Sequence, residues 1–168
     1  AKILHEASNP RYPGLTPCAI AMDFGALVAQ KDEVIHEYRK KKYESLIGGQ
    51  IQIATGHVQF ADPHTVEVDG TRFSGDKVLI ATGSRPALPS IEGLDRVPYL
   101  TSDLLTVDEP IELRALPKSL LIVGGGYIAL ELGQMFSRLG TAVTILERNA
   151  QLLAGGYEPE VGRSIGGI

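Results

Sequence analysis

The sequence has only one cysteine, Cys18, and no tryptophan in 168 residues. A single cysteine excludes a disulfide within the chain, and without a second one there is no spacing typical of a cysteine metal site. The four histidines are scattered and form neither an H-x-x-H nor an H-E-x-x-H pattern. We therefore predict that these residues hold no structural metal ion.

Long apolar runs and an excess of positive charge are also missing. No run approaches the roughly 18 residues that a membrane-spanning helix needs, and the first residues lack the apolar segment of a signal peptide. The net charge is −4, and the one basic cluster, Arg39–Lys42, is typical of a solvated helix face. We expect a cytoplasmic protein with no membrane partner and no nucleic-acid partner.

A glycine-rich motif lies between residues 120 and 148. The apolar run Leu120–Val123 is typical of a buried parallel strand, and Gly124, Gly126 and Ala129 then occupy the three small positions of G-x-G-x-x-G/A. The first position permits a tight turn, the second lets the backbone approach a pyrophosphate, and the third lets the helix pack closely on its strand. The N-terminus of that helix offers free N–H groups and a positive dipole end to phosphates.

The segments after the helix complete the motif. Gly140 is placed to end the helix, Val143–Leu146 predicts a second strand, and Glu147 follows it. Glu147 comes 21 residues after Gly126, near the spacing of a carboxylate that binds a ribose diol. Because all parts are present in order, the motif predicts dinucleotide binding. The alternative is a glycine-rich strand–helix turn that binds no ligand.

Two changes of pattern precede the motif. Apolar positions over residues 23–47 recur at helical spacing, which predicts a long amphipathic helix with Asp23 as its N-cap. From residue 51 the sequence alternates as in short strands, with Asp69-Gly70 as a hairpin turn signal, and predicts a small antiparallel β-meander. Lys77–Ala81 is predicted as a buried strand.

The order of these segments resembles the flavoprotein disulfide reductases: a β-meander, then VLIATGSRP, then IVGGGYIALELG. Within that family the chain is most similar to the mercuric reductases, in the stretches QKDEVIHEYRKKKYESLIGG, VPYLTSDLLTVDEPIELRALPKSLLIVGGG and NPRYPGLTP. The resemblance implies an α/β fold, part of a Rossmann-like protein with two dinucleotide-binding domains. Residues 1–112 are then expected to be the C-terminal part of the FAD-binding domain, and residues 113–168 the N-terminal part of the NAD(P)-binding domain. Because one βαβ unit cannot cover both faces of a parallel sheet, we expect a fragment of a larger protein.

The resemblance implies two segments in contact with FAD. One matches the family's A-T-G segment beside the flavin, where small residues at a strand end let the backbone meet a ligand closely; the alternative is a plain strand-to-loop turn. The residues of this segment are Ala81, Thr82, Gly83 and Ser84. In the other segment, the main chain of His57 and Val58 is expected to meet the FAD adenine.

The resemblance also implies roles for three side chains near the reaction. Tyr127 matches the tyrosine that covers the flavin and swings aside for the nicotinamide, and Glu131, one helical turn further, matches an acid that orients the nicotinamide end. Tyr43 matches a tyrosine of the mercuric reductase substrate pocket, whose phenolic oxygen approaches the bound metal. The alternatives are a turn tyrosine that only packs, an exposed helix carboxylate, and an ordinary position on an amphipathic helix.

The identity of the nicotinamide cofactor is left open between NADPH and NADH. The resemblance to mercuric reductases implies NADPH, whereas a carboxylate at Glu147 repels a 2′-phosphate and favours the free ribose diol of NADH. A bidentate phosphate contact from Arg148 or Arg138 would offset that repulsion.

The activity that the resemblance implies is reduction of Hg(II) to elemental mercury, a detoxification. A hydride passes from NAD(P)H to FAD, the reduced flavin opens a disulfide to a thiol pair, and two electrons reach Hg(II) held by thiolates. The family's first G-x-G-x-x-G, its C-x-x-x-x-C pair and its dimerisation domain match nothing in this sequence. We therefore expect the chain alone to be inactive and its full-length parent to be a homodimer. The alternatives are a dihydrolipoamide dehydrogenase-like NADH oxidoreductase and a non-catalytic nucleotide-binding fragment.

Overall fold

A computed structural model of the chain describes residues 1–47, 51–105 and 113–166. The helices and strands, in chain order, are α1 (Lys2–Ser8), α2 (Phe24–Leu46), β1 (Val58–Asp62), β2 (Thr65–Val68), β3 (Thr71–Ser74), β4 (Ser119–Val123), α3 (Tyr127–Arg138), β5 (Ala142–Leu146) and α4 (Pro159–Gly166). Short 3-10 helices cover Leu94–Arg96 and Ser102–Leu105. The chain divides into two compact units, one of Ala1–Asp32 with Leu100–Ile168 and the other of Glu33–Tyr99. The domain boundary predicted after residue 112 adjoins residues 106–112, which lie outside the described residues.

The first unit contains the predicted strand–helix–strand arrangement. Strands β4 and β5 are parallel and pair in register from Ser119 opposite Ala142 to Val123 opposite Leu146, and α3 packs on both strands. Helix α3 ends where the sequence predicts, because Gly140 adopts φ +102°, a left-handed conformation that glycine accepts without steric cost. The prediction of a βαβ unit is confirmed.

Helix α3 packs closely on the sheet at Gly133. A Cβ atom at this buried glycine would lie 3.3 Å from Ile145 Cδ1 and 3.4 Å from Ile122 Cδ1, so a side chain here would crowd both strands. One turn along, Phe136 is 1% exposed. Gly133 and Phe136 are three residues apart and therefore share the face of α3 that meets the sheet.

The opposite face of the two-stranded sheet is open in the described residues. Leu121 on β4 is 60% exposed, and Val123 and Leu146 are more than half exposed. Along each strand exposed residues alternate with half-buried ones, as expected when only one face of a sheet is covered. The pattern agrees with the argument that one βαβ unit covers a parallel sheet on one side.

The second unit contains the predicted β-meander. Strand β2 pairs antiparallel with β1 on one side and with β3 on the other. Asp69 and Gly70, which join β2 to β3, both have positive φ angles of +47° and +86°, as a two-residue hairpin with a type I′ turn requires. The meander and its turn signal are confirmed.

Helix α2 begins as predicted, but it is exposed along most of its length. Asp23 Oδ1 accepts a hydrogen bond from the Ala26 N–H at 3.1 Å, which is the geometry of an N-cap. Among its residues, Val28 is buried, whereas apolar side chains such as Leu27, Val34 and Tyr38 are exposed. No helix in the described parts of the chain is long and apolar enough to cross a membrane.

The prediction of a buried strand at Lys77–Ala81 is wrong. These residues have irregular backbone, and Leu79 is 90% exposed. An apolar run forms a buried strand only where neighbouring strands satisfy its N–H and C=O groups, and no strand in the described residues pairs with this segment.

Candidate functional site

A cavity of about 250 Å³ opens beside the points where β4 and β5 end. Its lining consists of Gly124, Gly125, Gly126, Tyr127, Glu147, Asn149, Leu153, Ala154, Gly155 and Tyr157. The carboxyl ends of parallel strands are the usual place for a ligand in an open α/β sheet. Since pockets for whole drug-sized ligands measure about 300–1,000 Å³, the cavity suits one part of a dinucleotide.

The first and second glycines of the motif have different structural reasons to be glycine. Gly124 adopts φ +103°, and its N–H donates to the Leu146 carbonyl oxygen at 2.7 Å, which makes the tight turn from β4. Gly126 is the N-cap of α3 with ordinary extended backbone, at φ −77° and ψ 175°. A Cβ atom at Gly126 would meet nothing within 4 Å, so the folded chain itself does not require a glycine there.

The N-terminus of α3 borders the cavity, which Gly126 and Tyr127 both line. The N–H groups of the first turn of a helix have no partner within the helix, and the helix dipole makes this end positive. A pyrophosphate is the kind of group that such a terminus binds. The empty space at Gly126 is consistent with close approach of that group.

Gly125, between the two motif glycines, is fixed by contacts that the sequence did not reveal. Its N–H donates to Glu147 Oε2 at 2.7 Å, and its carbonyl oxygen accepts from the Leu153 N–H at 2.9 Å. A Cβ atom here would lie 2.7 Å from Leu152 Cδ2 and 3.0 Å from Glu147 Oε2. A larger residue would have to displace these two side chains, so the packing favours glycine here, although the motif treats this position as variable.

The Glu147 carboxylate is held in place by hydrogen bonds on both oxygens. Its Oε1 accepts from the Asn149 backbone N–H at 2.8 Å and from Asn149 Nδ2 at 2.6 Å. The Asn149 backbone bond, followed by the bond from Gly125, lowers the pKa of Glu147 below its ordinary value of 4.5. The side chain is therefore ionised at neutral pH and presents a negative charge beside the cavity.

The structure brings four of the predicted site residues together around the cavity, namely Gly124, Gly126, Tyr127 and Glu147. Ala129 is half-buried on α3, while Glu131 on the same helix and Arg148 after Glu147 are exposed; none of the three is among the lining residues.

Arg138 lies at the wrong end of α3 to help bind a phosphate in the cavity. It occupies the last turn of the helix, about 16 Å along the axis from Tyr127 at a rise of about 1.5 Å per residue. The suggestion that Arg138 offsets the charge of Glu147 is therefore wrong, because distance prevents a bidentate contact with a group held at the other end.

The remaining predicted residues belong to the second unit. The His57 N–H donates to Asp69 Oδ1 at 3.2 Å, Val58 opens β1 opposite Val68, and Tyr43 is exposed on α2. The four A-T-G residues are exposed in irregular backbone rather than at a strand end. These exposed residues do not by themselves enclose a flavin, and their contact with FAD stays a prediction.

Half of the cavity lining comes from the segment after Glu147, which sequence reasoning missed. These residues are Asn149, Leu153, Ala154, Gly155 and Tyr157. Their position directly after the second strand of the motif was the available signal, because residues after β4 and after β5 meet at the same edge of the sheet. No group of three or more His, Cys, Asp or Glu side chains in the described ranges is placed to hold a metal ion.

The stability of the chain is expected to fall in acid partly through Glu147. The pKa of this group is lowered in the folded state, so its contribution is complete above the unfolded value of about 4.5 and is lost as the pH falls through the folded pKa. Melting temperatures measured between pH 6 and pH 3 should therefore fall more steeply for the wild type than for Glu147→Gln. Parallel curves for the two proteins would contradict this prediction.

The geometry is that of a glycine-rich βαβ unit with a cavity at the carboxyl ends of its strands, and the comparisons with known proteins place it in a family. Residues 2–166 match the family described as Pyridine nucleotide-disulphide oxidoreductase, and the chain belongs to that family. It is 39% identical over 165 residues to the mercuric reductase of Lysinibacillus sphaericus and 42% identical over 164 residues to that of Streptomyces lividans. These matches cover 98% and 94% of the chain but only 29% and 33% of the two relatives.

A solved structure shows the same relationship. The HOCl-induced flavoprotein disulfide reductase RclA from Escherichia coli superimposes with a TM-score of 0.72 at 31% identity, over 87% of this chain and 33% of that one. The expected family and the expected α/β fold are confirmed. The family is one of flavoprotein disulfide oxidoreductases, and it implies FAD and a pyridine nucleotide as cofactors.

Proposed function

We propose that this chain supplies the nicotinamide-nucleotide site of an FAD-dependent NAD(P)H oxidoreductase that reduces Hg(II). The observation that carries the proposal is the cavity between the glycine loop and the ionised Glu147 at the N-terminus of α3. The choice of Hg(II) is supported by relatives named mercuric reductase that match nearly the whole chain. The complete protein is proposed to be a cytoplasmic homodimer, as the resemblance implies.

The described residues fit a pyridine nucleotide by the chemistry of their groups. The first turn of α3 offers N–H donors to the pyrophosphate, the open space at Gly126 admits it closely, and the Glu147 carboxylate accepts hydrogen bonds from a ribose diol. Bound NAD(P)H would supply the hydride. The work of this chain is to bind and orient that cofactor, with Tyr127 beside the cavity and Glu131 further along α3 proposed at its nicotinamide end.

We expect the chain to bind NADH more tightly than NADPH by about 10-fold or more. Two like charges about 4 Å apart in water repel by about 1 kcal/mol. Because the 2′-phosphate of NADPH carries up to two negative charges, its repulsion by the ionised Glu147 corresponds to a loss in affinity of about 10-fold or more. Isothermal titration with each nucleotide measures the ratio, and Glu147→Gln should bring it closer to one. Equal or tighter binding of NADPH would contradict the expectation and point to a phosphate contact from Arg148.

A preference for NADH favours a second candidate, a dihydrolipoamide dehydrogenase-like oxidoreductase. The two candidates differ in the electron acceptor rather than in the nucleotide site. The contribution of this chain to that difference is tested by placing it within the Lysinibacillus sphaericus mercuric reductase in exchange for the matching 165 residues. We expect the hybrid protein to oxidise NAD(P)H in response to Hg(II), whereas a response to lipoamide alone would favour the second candidate.

In the hybrid protein the host supplies the redox cysteines, so the substrate residue that this chain contributes is Tyr43. Tyr43→Phe removes only the phenolic oxygen from an exposed helix position, so the fold should be unaffected. We expect kcat/KM for Hg(II) to fall about fivefold, the effect of one lost hydrogen bond or polar contact of about 1 kcal/mol, with unchanged nucleotide binding. Full activity of this variant would refute the role of Tyr43, and retained flavin absorbance would show that the hybrid had assembled.

A further inference from the structure

Both backbone polar groups of Gly125, its N–H and its C=O, are hydrogen-bonded to the segment that follows β5. We propose that Asn149, Glu147 and Leu153 form a clamp that fixes the glycine loop before the nucleotide arrives. In this proposal, which rests on the proposed nucleotide site, Asn149 and Leu153 are positioning residues. Glu147 then has two roles: it binds the ribose diol, and it fixes the glycine loop.

The first half of the clamp runs from Asn149 through Glu147 to Gly125. Both the backbone and the side-chain nitrogen of Asn149 donate to Glu147 Oε1, at 2.8 and 2.6 Å. This orients the carboxylate so that its other oxygen, Oε2, accepts from the Gly125 N–H at 2.7 Å. Hydrogen bonds to an ionised acceptor are shorter and stronger than neutral ones, so this connection is well suited to fix a backbone position.

The second half of the clamp depends on an unusual backbone conformation at Leu153. Its φ angle is +57°, in the left-handed region that an L-residue with a branched side chain rarely adopts. The side chain is nevertheless only 7% exposed, so burial holds the residue in this conformation. There its N–H donates to the Gly125 carbonyl oxygen at 2.9 Å, and such outliers persist where the surrounding structure imposes them at functional sites.

With its N–H and C=O both engaged, Gly125 is fixed between the turn at Gly124 and the helix start at Gly126. The loop is flexible by composition, since three glycines in succession lose more backbone freedom on ordering than other residues do. A clamp that orders them in the free protein removes that loss from the binding step. The nucleotide then meets donors that are already in position.

The clamp makes a specific prediction for hydrogen exchange in the nucleotide-free chain. In Glu147→Ala, the amides of Gly125 and Leu153 should both exchange at least about 10-fold faster than in the wild type, the effect of losing one hydrogen bond to a charged group. The amides of the β4–β5 ladder should keep their protection. Glu147→Gln, whose amide oxygen can still accept from Gly125, should restore most of the protection at both positions.

Two-dimensional NMR exchange measurements on the 168-residue chain decide between the outcomes. Faster exchange at Gly125 with an unchanged Leu153 amide would overturn the proposal, because the two halves would then be independent. If Glu147→Ala fails to fold, Asn149→Ala, at an exposed position, tests the same connection and should accelerate both amides together by a smaller factor. A titration with NADH on the same samples separates the two hypotheses: coupled protection without any NADH binding would refute the nucleotide site and leave the clamp.

Discussion

Replacing Gly126 with valine is expected to weaken NADH binding by about 10- to 100-fold or more while leaving the fold intact. A Cβ atom at this position meets nothing within 4 Å, and its extended backbone suits any residue. The free energy of unfolding should therefore change by no more than about 1 kcal/mol, the effect of a poorer N-cap. In the complex the same side chain would stand against the pyrophosphate, where overpacking costs about 1–3 kcal/mol or more.

Gly133→Val is the matched control for this experiment, because it changes the same residue type two turns further along α3. Its Cβ would lie within 3.5 Å of side chains on both strands, so we expect a loss of about 1–3 kcal/mol in the free energy of unfolding. Isothermal titration and urea denaturation of both variants give the full comparison. If Gly126→Val binds NADH as well as the wild type does, the motif is a turn without a ligand.

The βαβ unit could be predicted because its determinants are local in sequence. Gly124 and Gly140 both adopt positive φ angles, and each marks a place where a strand or helix must stop. The segments before Gly124, between the two glycines and after Gly140 have lengths that fit one strand, one helix and a second strand. These elements could therefore be predicted without knowing which distant residues they contact.

The contacts that hold the glycine loop could not be predicted from the sequence, because they join residues far apart along the chain. Gly125 and Glu147 are 22 residues apart, and no property of Leu153 as a residue type predicts its left-handed backbone. The motif marks Gly125 as variable for the same reason: the preference for glycine arises from the particular side chains of Leu152 and Glu147 packed against it.

Two errors in the sequence-based predictions have physical explanations. Lys77–Ala81 has the composition of a buried strand, but composition does not supply the neighbouring strands that pair with it. Arg138 was considered as a phosphate ligand by residue type alone. Its eleven-residue separation from Tyr127 on one helix already places it at the far end, so helical geometry would have excluded it.

The second large effect is expected for Phe136→Ala, which should lower the free energy of unfolding by about 3–5 kcal/mol. Phe136 is 1% exposed and lies on the helix that packs against β4, β5 and α1, so truncation leaves a cavity in the centre of the first unit. Since small domains are stable by only about 5–15 kcal/mol, a large share of the stability should be lost. Urea denaturation followed by circular dichroism measures the change.

The Phe136→Ala substitution should disturb the nucleotide site as well as the stability, whereas Gly126→Val should affect only nucleotide binding. The glycine loop and Glu147 are attached to the two strands that α3 covers, so loosening this contact lets the cavity walls separate. We expect Phe136→Ala to weaken NADH binding together with stability, whereas Gly126→Val weakens binding alone. Leu121→Ala, which removes an exposed side chain from β4, should change stability by less than about 0.5 kcal/mol. A similarly small change for Phe136→Ala would mean that α3 is not the element that holds this unit together.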